Sequence, residues 1–186
     1  SQTNDGMPYQ TFGSVYISFN GHNDYKNYYR DLDIANATAS VQYEVDVVTY
    51  KREVLTAFSD QVIAVKLSAS KAGKISCNVM MNSPIDKTVS FSDNNEIVMT
   101  GTGTNFEGVK GKVKFEGRLA VQNKGGKVTS KNGVISINGA DEATLYISIG
   151  TNFVDYKTLD ENQEQKCKRL LDAALTKNFD EIKKNH

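Results

Sequence analysis

From residue 9 to about residue 150 apolar and polar side chains alternate with a period of two, and that pattern leaves few folds open. The runs "SVYISF" (14–19), "ATASVQYEV" (37–45), "VTYKREVLTAF" (48–58) and "QVIAVKLSAS" (61–70) alternate or are rich in β-formers. So do "KISCNVMMN" (74–82), "EIVMTGTG" (96–103), "GKVKFEGRLAVQ" (111–122), "KVTSK" (127–131), "VISING" (134–139) and "ATLYISIG" (143–150). Alternation of this kind places one set of side chains in a core and the other outside it. The breaks "KAGK" (71–74), "SDNN" (92–95), "NKGG" (123–126) and "KNG" (131–133) fit hairpin turns. Connections so short favour antiparallel pairing, because a parallel crossover needs a dozen or more residues. The expected fold is mainly β, an antiparallel β-sandwich over residues 1–157.

The last stretch changes period. In "DENQEQKCKRLLDAALTK" (160–177), Cys167, Leu170, Leu171, Ala174 and Leu175 form one helical stripe. Asp160 with Gln163, and Asn178 with Glu181, have the spacing of N-terminal capping pairs, the second opening a short helix "FDEIKKNH". Residues 158–186 are therefore expected to be a helical linker. The stripe is expected to fold back on the sheet, since the connection "TNFVDYKTL" is short.

Charge and composition narrow the function. With 22 basic and 22 acidic side chains there is no cationic excess to neutralise phosphates, so no nucleic-acid partner is expected. No apolar run approaches bilayer length, so no membrane partner is expected either. The opening "SQTNDGMPYQ" has neither the charged nor the apolar region of a signal peptide. Cys77 and Cys167 read as two buried thiols or as one disulfide. His22 and His186 stand far apart and without ligand-spaced partners. "SDNNE" (92–96) lacks the later bidentate glutamate of a calcium loop. Neither a metal nor a cofactor is expected, and no catalytic residue is assigned.

Two clusters draw attention. In "GHNDYKNYY", read as a loop, His22, Tyr25, Tyr28 and Tyr29 could form a carbohydrate platform, or could simply pack the loop. Arg30, Asp33, Arg52 and Glu53 form a charged motif expected to pair across strands. Arg52 and Glu53 must point to opposite faces of an extended strand. The carboxylates Asp31, Asp33, Glu44, Asp46 and Glu53 cannot be placed across a cleft by alternation alone.

The residues also carry a resemblance. Tyr9-Gln10 with Gly13, Tyr29-Arg30-Asp31-Leu32-Asp33-Ile34, Tyr50-Lys51-Arg52-Glu53-Val54 and Ser59-Asp60-Gln61-Val62 are similar to motifs of glycoside hydrolase family 95, the α-L-fucosidase and α-L-galactosidase family. "GADEATLYISIGTNFVDYK" (139–157) and the helical tail resemble it too. Asp31 replaces a glutamate of the pattern, and "TAFSDQV" lacks its His and Pro. The resemblance implies a supersandwich-like N-terminal domain without its first strands. In that family an (α/α)6 barrel follows and holds the general acid and the water-activating groups of an inverting glycosidase. No catalytic residue can therefore be carried over to this chain. The implied parent is periplasmic or secreted and meets its glycan through that catalytic domain. The chain is therefore expected to be the non-catalytic scaffold of such an enzyme, the alternatives being a self-sufficient carbohydrate-binding module or a structural protein-interaction domain, and exposed sheet edges are expected to favour self-association.

Overall fold

The computed structural model describes residues 7–93 and 95–186, so the turn at "SDNN" and the loop "SDNNE" are covered only apart from Asn94. Twelve strands follow in order: β1 (Ser14–Ser18), β2 (Lys26–Asp33), β3 (Thr38–Val45), β4 (Val48–Ala57), β5 (Val62–Ala69), β6 (Ile75–Asn82), β7 (Lys87–Asp93), β8 (Glu96–Thr102), β9 (Lys114–Lys124), β10 (Lys127–Lys131), β11 (Val134–Ala140) and β12 (Glu142–Thr151). Two helices close the chain, α1 (Gln163–Leu175) and α2 (Phe179–Lys184). The strands form two antiparallel sheets, β1-β6-β11-β10 and β2-β3-β4-β5-β12-β9-β8-β7. The β-sandwich with a C-terminal helical segment is thus the observed architecture.

Both faces of the eight-stranded sheet are used. Its inner face meets the four-stranded sheet, where Tyr50, Leu67, Leu119 and Leu145 pack with Cys77, Val79, Ile135 and Ile137. Its outer face carries Leu55, Ala57, Ala64, Ala120 and Tyr146 under the helices, which contribute Leu170, Leu171, Ala174, Phe179 and Ile182. Period two accounts for this, because Val54 faces one core and Leu55 the other. The helical stripe does fold back. Cys167, Leu170, Leu171 and Ala174 are buried, and Leu175 packs at the margin.

Several sequence expectations need correction. The stretch read as a loop contains β2, whose polar, largely exposed residues hide the strand signal. β7, "KTVSFSD", was also missed. "KAGK" and "NKGG" are not hairpins, since each carries the chain from the eight-stranded to the four-stranded sheet. At the second crossing Gly126 has φ +66°, and a Cβ there would lie 2.5 Å from the Asn138 carbonyl oxygen. "KNG" does join the β10–β11 hairpin. The cap of α1 is Asn162, not Asp160: its backbone is extended and its side chain accepts from the Gln165 amide, while the Glu161 amide just before it donates to the Asn152 carbonyl. α2 has the expected Asn178–Glu181 capping box.

Candidate functional site

His22, Tyr25 and Tyr28 converge on one recess of about 370 Å³, together with Phe19, Val41, Tyr43 and Arg52. The floor is built by a hairpin. β3 and β4 are joined by Asp46-Val47, both at positive φ, which sets Tyr43 opposite Tyr50. Those two buried rings stack with centroids 5.6 Å apart and planes 18° apart. His22 lies 4.4 Å from the Tyr50 ring and 4.8 Å from Phe19, and its Nδ1 is 2.8 Å from the Tyr43 hydroxyl. Burial, then the Arg52 charge, lower the imidazole pKa, against a smaller upward pull from Asp46. Burial and the neighbouring Tyr43 push the Tyr50 phenol up. Tyr25 and Tyr28 form the exposed lip, centroids 5.6 Å apart.

Tyr29 does not join them. Alternation along β2 sends Tyr28 and Arg30 to one face and Tyr29 to the other. There the Tyr29 hydroxyl donates to Asp31 at 3.4 Å. A break in register between Lys26 and Tyr29, with Asn27 at φ 52°, lies beside Tyr28 at the recess.

The charged motif splits as well. Arg52 faces the inter-sheet side, its guanidinium 4.9 Å from the Phe19 centroid and 5.9 Å from Tyr43. Its Nε is buried and has no hydrogen-bond partner among the described residues. Glu53 faces the helices and accepts from Lys183 and Lys51, each at 3.1 Å. Those two lysines hold its carboxyl below the ordinary value although burial opposes them. Asp33 is a turn cap that accepts from the Ala35 and Asn36 amides and from the Asn36 side chain. The Asn36 side-chain bond is the main reason its pKa is lowered. The expected pairing of Arg30 or Arg52 with Asp33 or Glu53 therefore does not form. Each carboxylate is taken by a nearer partner or lies on the opposite face. Asp60 pairs with Lys177 and Ser59 donates to the Asn185 carbonyl, so the β4–β5 turn also fastens the helical end.

Chemically the recess can stack a flat apolar face on Tyr25 and Tyr28 and offer a neutral imidazole and a guanidinium. Among the described residues no carboxylate lines it. Among the described residues no three His, Cys, Asp or Glu side chains are grouped to hold a metal. Cys77 and Cys167 are free and buried, both thiols pushed up to about 12, chiefly by burial. Sequence reasoning missed Phe19, Tyr43 and Tyr50. The signal for the last two is "YEVDVVTY" (43–50), where a two-residue turn at Asp46-Val47 makes the tyrosines cross-strand partners. His186 contacts the Ala37 carbonyl and takes no part.

Residues 1–156 match the family described as glycosyl hydrolase family 65, N-terminal domain. The chain belongs to that family. A curated relative of this family 65 N-terminal domain is Alpha-L-fucosidase 2 of Arabidopsis thaliana, 31% identical over 168 residues. The match covers 78% of this chain and 20% of that protein, so the chain spans about a fifth of its relative's length. A solved structure named as a kojibiose phosphorylase from the human microbiome superposes with a TM-score of 0.58. It is 12% identical and covers 92% of this chain and 26% of that one, a likeness of fold alone. The comparisons establish a glycoside hydrolase N-terminal domain rather than family 95 in particular.

Proposed function

We propose that this family 65 N-terminal domain is the non-catalytic scaffold of a family 95-like glycoside hydrolase acting on terminal α-L-fucose or α-L-galactose. The observation that carries the reading is the 31% identity over 168 residues to a protein named as a fucosidase. Among the described residues no carboxylate lines the aromatic recess, which agrees with it, because glycoside hydrolysis needs a carboxyl pair across the sugar. In this reading residues 158–186 lead toward an inverting (α/α)6 catalytic domain, and the parent enzyme works in the periplasm or outside the cell. The chain supports that domain and itself turns over nothing. A second reading, a carbohydrate-binding module, is favoured by one observation, the exposed Tyr25–Tyr28 lip above His22.

The test compares the purified 186-residue chain with the full-length gene product on aryl α-L-fucosides and α-L-galactosides. The full product should hydrolyse one of them with inversion, and the chain alone neither. A full product that instead phosphorolyses α-glucosides would overturn the substrate assignment. Turnover by the chain alone, lost on replacing one of its carboxylates, would overturn the scaffold reading. Titration with L-fucose addresses the second reading, in which Tyr28→Ala should weaken a roughly millimolar affinity, about −4 kcal/mol.

A further inference from the structure

The eight-stranded sheet is covered on its inner face by a sheet half as wide. β1 is the edge of that narrower sheet, paired with β6 on one side and, among the described residues, with no strand on the other. Exposed edges are normally blunted by charge or proline, yet β1 reads "SVYIS" and has neither. Beside it runs an open apolar groove of about 460 Å³. Val15 and Ile17 of β1 form one wall, and Val54, Val65, Ile147 and Ile149 line the opposing sheet.

Two cations stand along this groove. Arg30, Val41 and Arg52 lie in one register row across β2, β3 and β4, so both arginines leave the same face, and both line the groove. Neither forms an ion pair among the described residues, whereas nine other pairs are present. Among those residues the Arg52 Nε lacks even a hydrogen bond. A part-buried guanidinium without a counter-charge is costly to hold.

We propose that this groove takes an extended polypeptide strand that adds to the free edge of β1. Its apolar residues would alternate toward Val54 and Val65, and a glutamate or aspartate would meet Arg52 and Arg30. Spacing selects a strand. A new strand about 4.8 Å from β1 continues the narrow sheet at the ~10 Å layer separation already present, whereas a helix is 10–12 Å across before its own packing distance is added. Main-chain bonds to β1 supply affinity, and the arginines select the acidic residue. The proposal is independent of the sugar specificity of any parent enzyme.

The probe is a capped nine-residue peptide of alternating valine and threonine with a central glutamate, titrated into the full 186-residue chain. Counterparts carry glutamine or lysine at the centre. The glutamate peptide should bind about ten-fold tighter than the lysine one. Binding should slow hydrogen exchange at the free-edge amides of β1. Arg52→Gln should bring the three affinities within about two-fold of one another; Arg30→Gln, at an exposed site, should narrow the gap if Arg52→Gln does not fold. Equal affinity for all three peptides, binding without protection of β1, or no binding would overturn the proposal. So would a dimer of the chain that occludes β1, or dodecanoate filling the groove while the peptide does not compete.

Discussion

His22 lies among aromatic rings and beside a guanidinium, an environment that disfavours its protonated form. Its pKa in the folded chain is lowered from 6.5, so just below that value the unfolded chain binds more protons than the folded one. Stability must therefore fall as pH drops through that window, and level off once the folded imidazole also titrates. Thermal melts from pH 8 to pH 5 should show this loss, and His22→Phe should flatten it relative to the native chain. An unchanged difference curve would remove His22 as its source. Arg118 makes a second residue-scale case. It lies between Glu116 and Glu96, with side-chain exposures of 13%, 2% and 12% respectively. Burial raises the Glu116 pKa although Arg118 pulls it down. Arg118→Met would leave the buried Glu116 and the part-buried Glu96 without this cation, at a cost of about 3–5 kcal/mol in denaturant unfolding. The loss should shrink near pH 4, about where carboxyls take up protons.

At the scale of elements, the β3–β4 turn and the α1 docking face are the most exposed to test. Val47 is β-branched, at φ 57°, and 75% solvent-exposed. Val47→Gly should therefore stabilise the chain by about 0.5–1 kcal/mol, since the left-handed conformation costs a side chain more than it costs glycine. Leu171 is 1% exposed between α1 and the sheet. Leu171→Asp should lower the melting temperature of a monomeric preparation by several degrees or more, the consequence of losing about 1.5–3 kcal/mol of burial and adding an unpaired charge. A variant that melts normally but no longer dimerises would make that face an interface. These elements also show what could be read from the sequence. The periodicity of β4, β5 and α1 was plain because each buries a regular set of side chains. β2 was not, because its residues are polar and largely exposed, and it is a strand through its partner β3. Glycine at "KAGK" and "NKGG" signals a tight bend, but which sheet receives the next strand depends on residues distant in sequence. The recess was half legible for the same reason. His22, Tyr25 and Tyr28 are near neighbours in the chain, and Phe19 lies just before them without a signal of its own, whereas Tyr43, Tyr50 and Arg52 come to it only through strand pairing.

For the whole molecule, the wide sheet is the middle of three layers, with the narrow sheet on one side and the helices on the other. Each central strand therefore has two sets of side chains that must both fit. In β4 the set Tyr50, Arg52 and Val54 serves one layer and the set Glu53, Leu55 and Ala57 the other. Sliding β4 by one position would send Glu53 among apolar side chains and Arg52 toward Lys183, an error on both sides at once. β2 has no such double commitment, its residues being exposed except for a half-buried Asp33. The sandwich should thus be unequal in its tolerance of length changes. In a scan of single-residue insertions read by soluble expression and melting, β2 should accept added residues with small losses, while any insertion within β4 should abolish the fold. Over many generations, gained and lost residues would accumulate at the recess side of the sheet and spare its centre, leaving the lip around Tyr25 and Tyr28 as the part of the domain freest to be reshaped.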